Sequence, residues 1–370
     1  MNDPRQYWVG FNLVKGIGSV RLQALLDHFG DVETAWRAPS ASLREAGLSP
    51  KLVETINQVR TSVSLDKVWE RLDHLGIEVL TWDDQGYPQR LKEIDQPPPV
   101  LYLRGRLLPE DSWAVAMVGT RRITAYGRQV TEELAGALAR HGLTIVSGLA
   151  RGVDALAHQG ALDAGGRTLA VLGNGVDRIY PPENRRLAER ILECGALISD
   201  YPPGTPPDGI NFPPRNRIIS GLSMAVVVVE AGQQSGALIT AEFAAEQGRE
   251  VFAVPGNINA PQSAGTNRLI QQGAHPLLEP RDVLEILNLT NVPAQRSARQ
   301  TLPADELEAR LLSLMGSQPM HVDEISSQAD LPIEKVSAAL VLMELKGLVR
   351  QLGGMQYAAI RETQEGYETS

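Results

Sequence analysis

Residues 211–241 read NFPPRNRIISGLSMAVVVVEAGQQSGALITA, and the parsing of this stretch decides the fold. An apolar run from Met224 to Val229 stops at Glu230 and gives way to a turn of small residues. The run is short, does not alternate, and is flanked by helix-like segments. That pattern predicts a parallel strand buried on both faces. Ligands of such sheets gather at the C-terminal ends of the strands. Glu230, Ser235, Gly236 and Thr240 fall at that end, with Ser235 placed to cap a helix over Gly236 to Gln247. Arg215 and Arg217 stand just before the strand. The stretch therefore predicts a site for phosphate, or for a phosphate-bearing polymer.

Outward from it, residues 112 to 280 alternate strand and helix signals. Further strands are expected at WAVAMVG (113–119), LTIVSG (143–148), RTLAVLG (167–173), ALISD (196–200) and EVFAVPG (250–256). Amphipathic helices are expected over Gln129 to Arg140, Val153 to Ala164 and Pro182 to Glu193. Repeated βα units of this length imply an α/β parallel sheet covered on both faces.

Polar and glycine-rich clusters close three of these strands. They are Gly119-Thr120-Arg121-Arg122, then Gly148 to Asp154 with Arg151, Gly152 and, a turn later, His158, and then Gly173-Asn174-Gly175-Val176-Asp177. Together with Arg215, Asn216, Arg217 and Glu230 they can line one crevice. No G-x-G-x-x-G turn and no Gly-Lys-Ser/Thr phosphate loop occurs, so P-loop ATP hydrolysis is not expected. Five arginines near strand ends would repel one another unless anions or carboxylates intervene, which points to an anionic ligand. Asp154, Asp177 and Glu230 are the carboxylates available to a general base or a divalent cation, and His158 is the best-placed histidine. The same three residues Asp154, Asp177 and His158 read equally as helix caps, loop braces and a buried histidine. No zinc-ligand spacing and no Ser/His/Asp set is seen, and neither metal nor cofactor is expected.

A chain of 370 residues suggests two or three domains. The formal charge of −9 argues against a generally polycationic binder and leaves room for a local basic groove. Lysine is absent between Lys92 and Lys335, while residues 111–280 carry 14 Arg against 16 Asp or Glu. Arginine's planar fork suits phosphate, although a compositional bias of the source genome would leave the same trace. Cys194 is the only cysteine, which excludes an internal disulfide. No apolar stretch reaches membrane-spanning length and the N-terminus is not signal-like, so no membrane insertion and a cytoplasmic location are expected.

The flanks differ. Residues 1–75 read as a helical domain in which Val14 to Val20 has the form of a helix-hairpin-helix turn, with a looser copy at Leu43 to Ile56. An ordinary helical hairpin would look the same. The strand at Gly76 to Leu80 and the Pro97-Pro98-Pro99 run before VLYLRG mark a joint or an edge extension of the sheet. Residues 289–304 form a polar linker, and residues 305–362 have the helix-turn-helix-plus-hairpin order of a winged helix. Residues 301–370 carry 5 Lys or Arg against 11 Asp or Glu. That balance favours a protein contact or a structural role over duplex reading.

SGLARGVDALAH (147–158), GNGVDRIYP (173–181), FPPRNRIISGLS (212–223), EAGQQSGALITA (230–241) and Val254-Pro255-Gly256 closely resemble the DNA-processing protein family DprA, also called Smf. The resemblance covers nearly the whole chain. It implies an extended Rossmann-like domain, here residues 76–288, that binds single-stranded DNA. It also implies a homodimer without established catalytic activity, which protects incoming strands in natural transformation and loads the RecA recombinase on them. Carried onto this chain, it makes Arg121, Arg122, Arg151, Arg215 and Arg217 the phosphate contacts. Gly148, Gly152, Gly173, Gly175, Ser235 and Gly236 would bring backbone amides close to phosphates. Asp154, His158, Asp177, Asn216, Glu230 and Thr240 are left as pocket or loop-bracing residues. The alternative is a nucleotide-binding or nucleotide-hydrolysing enzyme of the lysine-decarboxylase-like group, whose Pro-Gly-Gly-x-Gly-Thr turn is replaced here by Glu230-Ala231-Gly232 and Ser235-Gly236.

Overall fold

A computed structural model describes residues 3–289 and, toward the C-terminus, residues 320–329, 331–345, 349–351 and 355–359, with single positions between 307 and 315. The chain divides into two compact units, residues 1–290 and 291–370. The expected linker at 289–304 lies, apart from Leu289, outside the described residues.

The first unit is built on one nine-stranded sheet. Its strands are β1 (Glu78–Thr81), β2 (Val100–Gly105), β3 (Ala114–Val118), β4 (Thr144–Ser147), β5 (Thr168–Val171), β6 (Ala196–Ser199), β7 (Ala225–Val228), β8 (Glu250–Ala253) and β9 (His275–Pro276). Their order across the sheet is β1-β2-β6-β5-β4-β3-β7-β8-β9. From β6 to β9 every pairing is parallel. The β1–β2 hairpin adds antiparallel to β6, so the stretch read as a joint or an edge extension is the latter.

The apolar run in the opening stretch becomes β7, buried along its whole length between β3 and β8. At β3 the chain reverses its direction of growth. β4, β5 and β6 are laid down on one side of it, and β7, β8 and β9 on the other. The crevice of a doubly wound sheet opens at such a point.

The helices α8 (Ala125–Arg140), α9 (Val153–Asp163), α10 (Arg185–Cys194), α11 (Phe212–Gly221) and α12 (Gly236–Glu246) follow successive strands from β3 to β7. Thr124 caps α8 by accepting from Gly127 N at 3.0 Å. Ser235 caps α12 by accepting from Ala237 N at 3.4 Å, on one of the first-turn N–H groups that lack a helical partner. α10 begins at Arg185 and not at the expected Pro182, because the chain makes a 3-10 turn from Pro182 through Asn184.

A short α7 (Gln89–Lys92) lies between β1 and β2, and among the described residues six helices precede the sheet: α1 (Arg5–Asn12), α2 (Ser19–Phe29), α3 (Val32–Arg37), α4 (Ser40–Glu45), α5 (Pro50–Ser62) and α6 (Leu65–His74). They surround an aromatic centre in which Phe11 meets Trp36 edge-on at 5.0 Å. They also continue the packing of the sheet. Trp8 lies edge-on to Trp82 at 5.6 Å, and Tyr102 of β2 donates to Asn12 Oδ1 at 2.9 Å.

The second unit contains β10 (Met320–His321), a short helix over Val322–Ala329, a longer helix over Ile333–Leu345, β11 (Val349–Gln351) and β12 (Gln356–Ala359). The strands pair antiparallel in the order β10-β12-β11, and Val322, Ile325, Val336, Leu340, Met343 and Tyr357 fill the core. This is the winged-helix arrangement; the hairpin tip at Gly353-Gly354 lies outside the described residues.

Candidate functional site

A cleft of about 800 Å³ opens at the point where the sheet reverses. One wall is the turn after β3, Gly119 to Arg122, and the other is Gly232 to Thr240 around the start of α12. The beginning of α11, with Phe212, Arg215 and Asn216, forms the third side, and Ala150 and Asp154 lie beneath. The charged side chains lining it are Arg121, Arg122 and Arg215 against the single carboxylate of Asp154. The cleft is cationic although the chain as a whole is acidic.

The turn after β3 is held from β7. Glu230 is 4% exposed; its backbone carbonyl accepts from Thr120 N at 2.7 Å, and its carboxylate accepts from Thr124 N and Oγ1 at 3.1 and 3.2 Å. Both ends of the turn are thereby pinned, and between them Arg121 and Arg122 project into solvent. Neither has an ion-pair partner among the described residues. Arg121 lies over the Phe212 ring at 5.7 Å, and Phe212 in turn stacks on Tyr180 with centroids 5.9 Å apart. Tyr180 is 41% exposed, so an aromatic face stands open at the cleft mouth.

Arg215 is placed differently. It is 4% exposed, and its Nη1 donates to the carbonyls of Gly148, at 3.0 Å, and of Val171. Burial pulls its guanidinium down to about 10, with the nearby Asp154 charge opposing that shift. Burial also pushes Asp154 above the ordinary carboxylate range, against the lowering effect of Arg215 and of backbone donors. Those donors are Gly148 N at 3.2 Å and Ala150 N at 3.3 Å. A Cβ on Gly148 would stand 2.7 Å from Arg215 Nη2 and 2.8 Å from Asp154 Oδ2, so this pair needs glycine there. Arg215 lends positive potential to the cleft floor, but two of its donor directions are already spent on carbonyls.

Arg217 does not line the cleft. Arg215 and Arg217 are two residues apart on α11, hence about 200° apart around the helix axis, and point to different sides. Arg217 Nη2 lies 2.8 Å from Asp200 Oδ2, and Nη1 donates to Gln96 O at 2.6 Å. The expectation of one phosphate-facing arginine pair is corrected here: the helix separates the two. Arg151 is also outside the lining; it is exposed and bonded to Glu183.

The glycine expectations need similar correction. The amide of Gly148 goes to Asp154, and that of Gly175 donates to Thr205 O at 3.1 Å, so neither is presented to a ligand. Gly173 packs against the Phe212 ring. Gly152 adopts φ +77° with the Thr120 carbonyl where a Cβ would sit, so it brings the turns after β3 and β4 together. Gly236 and Ser235 do line the cleft at the start of α12, as do Thr240 and Asn216, whose Nδ2 lies 3.4 Å from Gly236 O.

His158 is fully buried beneath the site. Its Nδ1 is 2.6 Å from Thr168 Oγ1, whose proton goes to Ile145 O at 2.7 Å, so Nδ1 carries the hydrogen and Nε2 is bare. Burial lowers its pKa to about 3. Asp177 accepts from Gly204 N at 2.8 Å and lies 3.8 Å from Arg71, away from the cleft. Among the described residues no three His, Cys, Asp or Glu side chains gather in a way that could hold a metal ion.

Phe212 and Tyr180 line the cleft although neither is among the site residues expected from the sequence. An aromatic interleaved with arginines at predicted strand ends, in a chain with only 5 Phe, was the available signal.

Residues 78–288 match the DNA recombination-mediator protein A family, and residues 293–355 match the DprA winged helix domain. The chain belongs to the DprA/Smf family of DNA-processing proteins. Protein Smf of Synechocystis sp. is 39% identical over 96% of this chain and 99% of its own length. DNA processing protein DprA of Bacillus subtilis is 41% identical over 70% of this chain and 90% of its own. Among solved structures, DprA of Streptococcus pneumoniae matches with a TM-score of 0.67 and 33% identity, covering 76% of this chain and 97% of that one. A Helicobacter pylori DprA structure, described for its single-stranded DNA binding mode, matches with a TM-score of 0.53 and 32% identity over 58% of this chain and 96% of its own.

Proposed function

We propose that this DprA-family chain binds single-stranded DNA in the cleft, holding the sugar–phosphate backbone and leaving base sequence largely unread, in natural transformation and recombination. The observation that carries this reading is the pair Arg121 and Arg122: two exposed cations without carboxylate partners among the described residues, on a turn pinned at both ends by Glu230. Arg215 adds charge from below, and Ser235 and Gly236 present the start of α12. The open face of Tyr180 and Phe212 suits a base of any identity, because every base has a π-face. The H. pylori relative, named for single-stranded DNA binding, supports the same ligand.

The function is binding rather than catalysis. Glu230, the carboxylate at the end of β7, is committed to the Thr124 anchor and does not line the cleft. Homodimer formation and delivery of the strand to RecA in the cytoplasm complete the reading and rest on family resemblance alone. No helix among the described residues is long and apolar enough to cross a membrane.

Fluorescence anisotropy with a labelled oligo-dT, titrated with salt, tests the cleft. Arg121→Ala/Arg122→Ala should flatten the plot of log K against log salt by roughly 1.4, about 0.7 per lost phosphate contact on a single strand. An unchanged slope and affinity in a folded double variant would rule the cleft out.

A further inference from the structure

The basic surface does not end at the cleft. Arg178, in the loop after β5, and Arg185 and Arg186, in the first turn of α10, are exposed. None of the three has an ion-pair partner among the described residues. Two of the neighbouring carboxylates are occupied: Glu183 is bonded to Arg151, and Asp177 accepts from Gly204 N and faces Arg71. Glu189, one turn further along α10 from Arg185, is exposed and forms no ion pair with either arginine. Two arginines at the start of a helix oppose its dipole, an arrangement that does nothing for the helix and suits an incoming anion. We propose that the DNA strand runs out of the cleft over the ends of β4 and β5 toward α10, with Arg178, Arg185 and Arg186 as additional phosphate contacts.

The contacts between cleft and band are continuous. Tyr180 lines the cleft and belongs to the loop that carries Arg178. Arg151, after β4, reaches Glu183, and Asn184 donates to Leu149 O at 2.8 Å, which ties the start of α10 to the turn after β4. β3, β4 and β5 are adjacent strands, so the distance from Arg121's strand to Arg178's is two strand spacings, about 10 Å. The opposite exit is uncharged by comparison. No Lys or Arg occurs between Glu230 and Arg249 or between Glu250 and Arg268, so the loops after β7 and β8 offer a backbone nothing cationic. The charge is one-sided, and that asymmetry sets the direction of the path.

The inference rests on the single-strand reading of the cleft, and oligonucleotide length separates the two. The full chain would be titrated with a short oligo-dT of about 6 nucleotides, enough for the cleft, and with a longer one of about 20. Arg178→Ala/Arg185→Ala/Arg186→Ala should leave the short oligomer's affinity unchanged and weaken the long one at least tenfold, with a salt slope flatter by about 2. The pair Arg185→Gln/Arg186→Gln, which keeps side-chain length and polarity, should show the same length dependence at about two-thirds of the slope change. Equal loss on both lengths, or loss on neither, overturns the path; the latter would also be the result if the band served an acidic protein. Arg121→Ala/Arg122→Ala should weaken both lengths. If it weakens neither, the cleft reading itself fails, whatever the band does.

Discussion

The turn after β3 and helix α11 each carry two arginines within three residues, beside the same cleft, and treat them in opposite ways. Arg121 and Arg122 stand in solvent on a turn anchored by Glu230 and have no carboxylate partner among the described residues. Arg215 and Arg217 are both committed to the protein, one to carbonyls of the cleft floor and the other to Asp200 and Gln96. An arginine at a strand end is therefore not a ligand contact by virtue of its position. What it does is decided by whether the surrounding fold has already used its five donors.

The largest expected contrast is in stability. Arg215→Ala removes the cation that faces buried Asp154 and should cost about 3–5 kcal/mol in urea unfolding, the usual penalty for leaving a buried charge uncompensated. Arg121→Ala should stay within about 0.5 kcal/mol of the parent. Equal losses for the two would mean that the buried and the exposed arginines are held alike.

Arg217→Ala sharpens it further. Its side chain is 19% exposed and that of Asp200 15%, and burial already raises the Asp200 pKa. The variant should lose about 1–3 kcal/mol of stability while the salt slope of DNA binding stays at the parent value. A flatter slope with unchanged stability would return Arg217 to the phosphate contacts.

Tyr180→Ala probes the aromatic part of the exposed side. It should cost about 1–3 kcal/mol of single-strand affinity, in proportion to one stacked base, without altering the salt slope. An effect on slope instead of affinity would mean that the ring only supports Arg121 through Phe212.

Between pH 6 and 8 the smallest effect is a pH dependence. His158 has a folded pKa of about 3 against an ordinary 6.5, so the unfolded chain binds the extra proton first as pH falls. Stability from this group is complete above pH 6.5 and declines toward pH 3, by at most about 1.4 kcal/mol per unit. An NMR titration should find its ring neutral throughout pH 5–8; a midpoint near 6.5 would contradict the burial.

Much of the fold could be read from particular residues. The run Met224 to Val229 has no polar position and so had to be buried on both faces, and β7 is. Ser235 before Gly236 is a short polar side chain at the start of a helix, and it caps; α8 instead begins at Ala125 behind its Thr124 cap, four residues ahead of the expected Gln129. The edge strand β9, two residues long, has no periodicity to detect. At the site, Gly119 to Arg122 was legible because a strand end followed by consecutive arginines has few structural uses. The amides of Gly148 and Gly175 were misassigned because their acceptors, Asp154 and Thr205, become neighbours only through loop geometry.

The sequence by itself determined the parallel βα order, the winged-helix tail, the concentration of arginine without lysine around the strand ends, and the family. Periodicity, capping and composition are local properties, and a linear reading can hold them. Only the tertiary structure decided which arginines remain free. That outcome depends on partners far away in the chain: Glu230 reaches back to Thr124, Arg215 to Gly148 and Val171, and Arg217 to Gln96. A guanidinium is a ligand contact only where the sheet has brought it no carbonyl or carboxylate of its own.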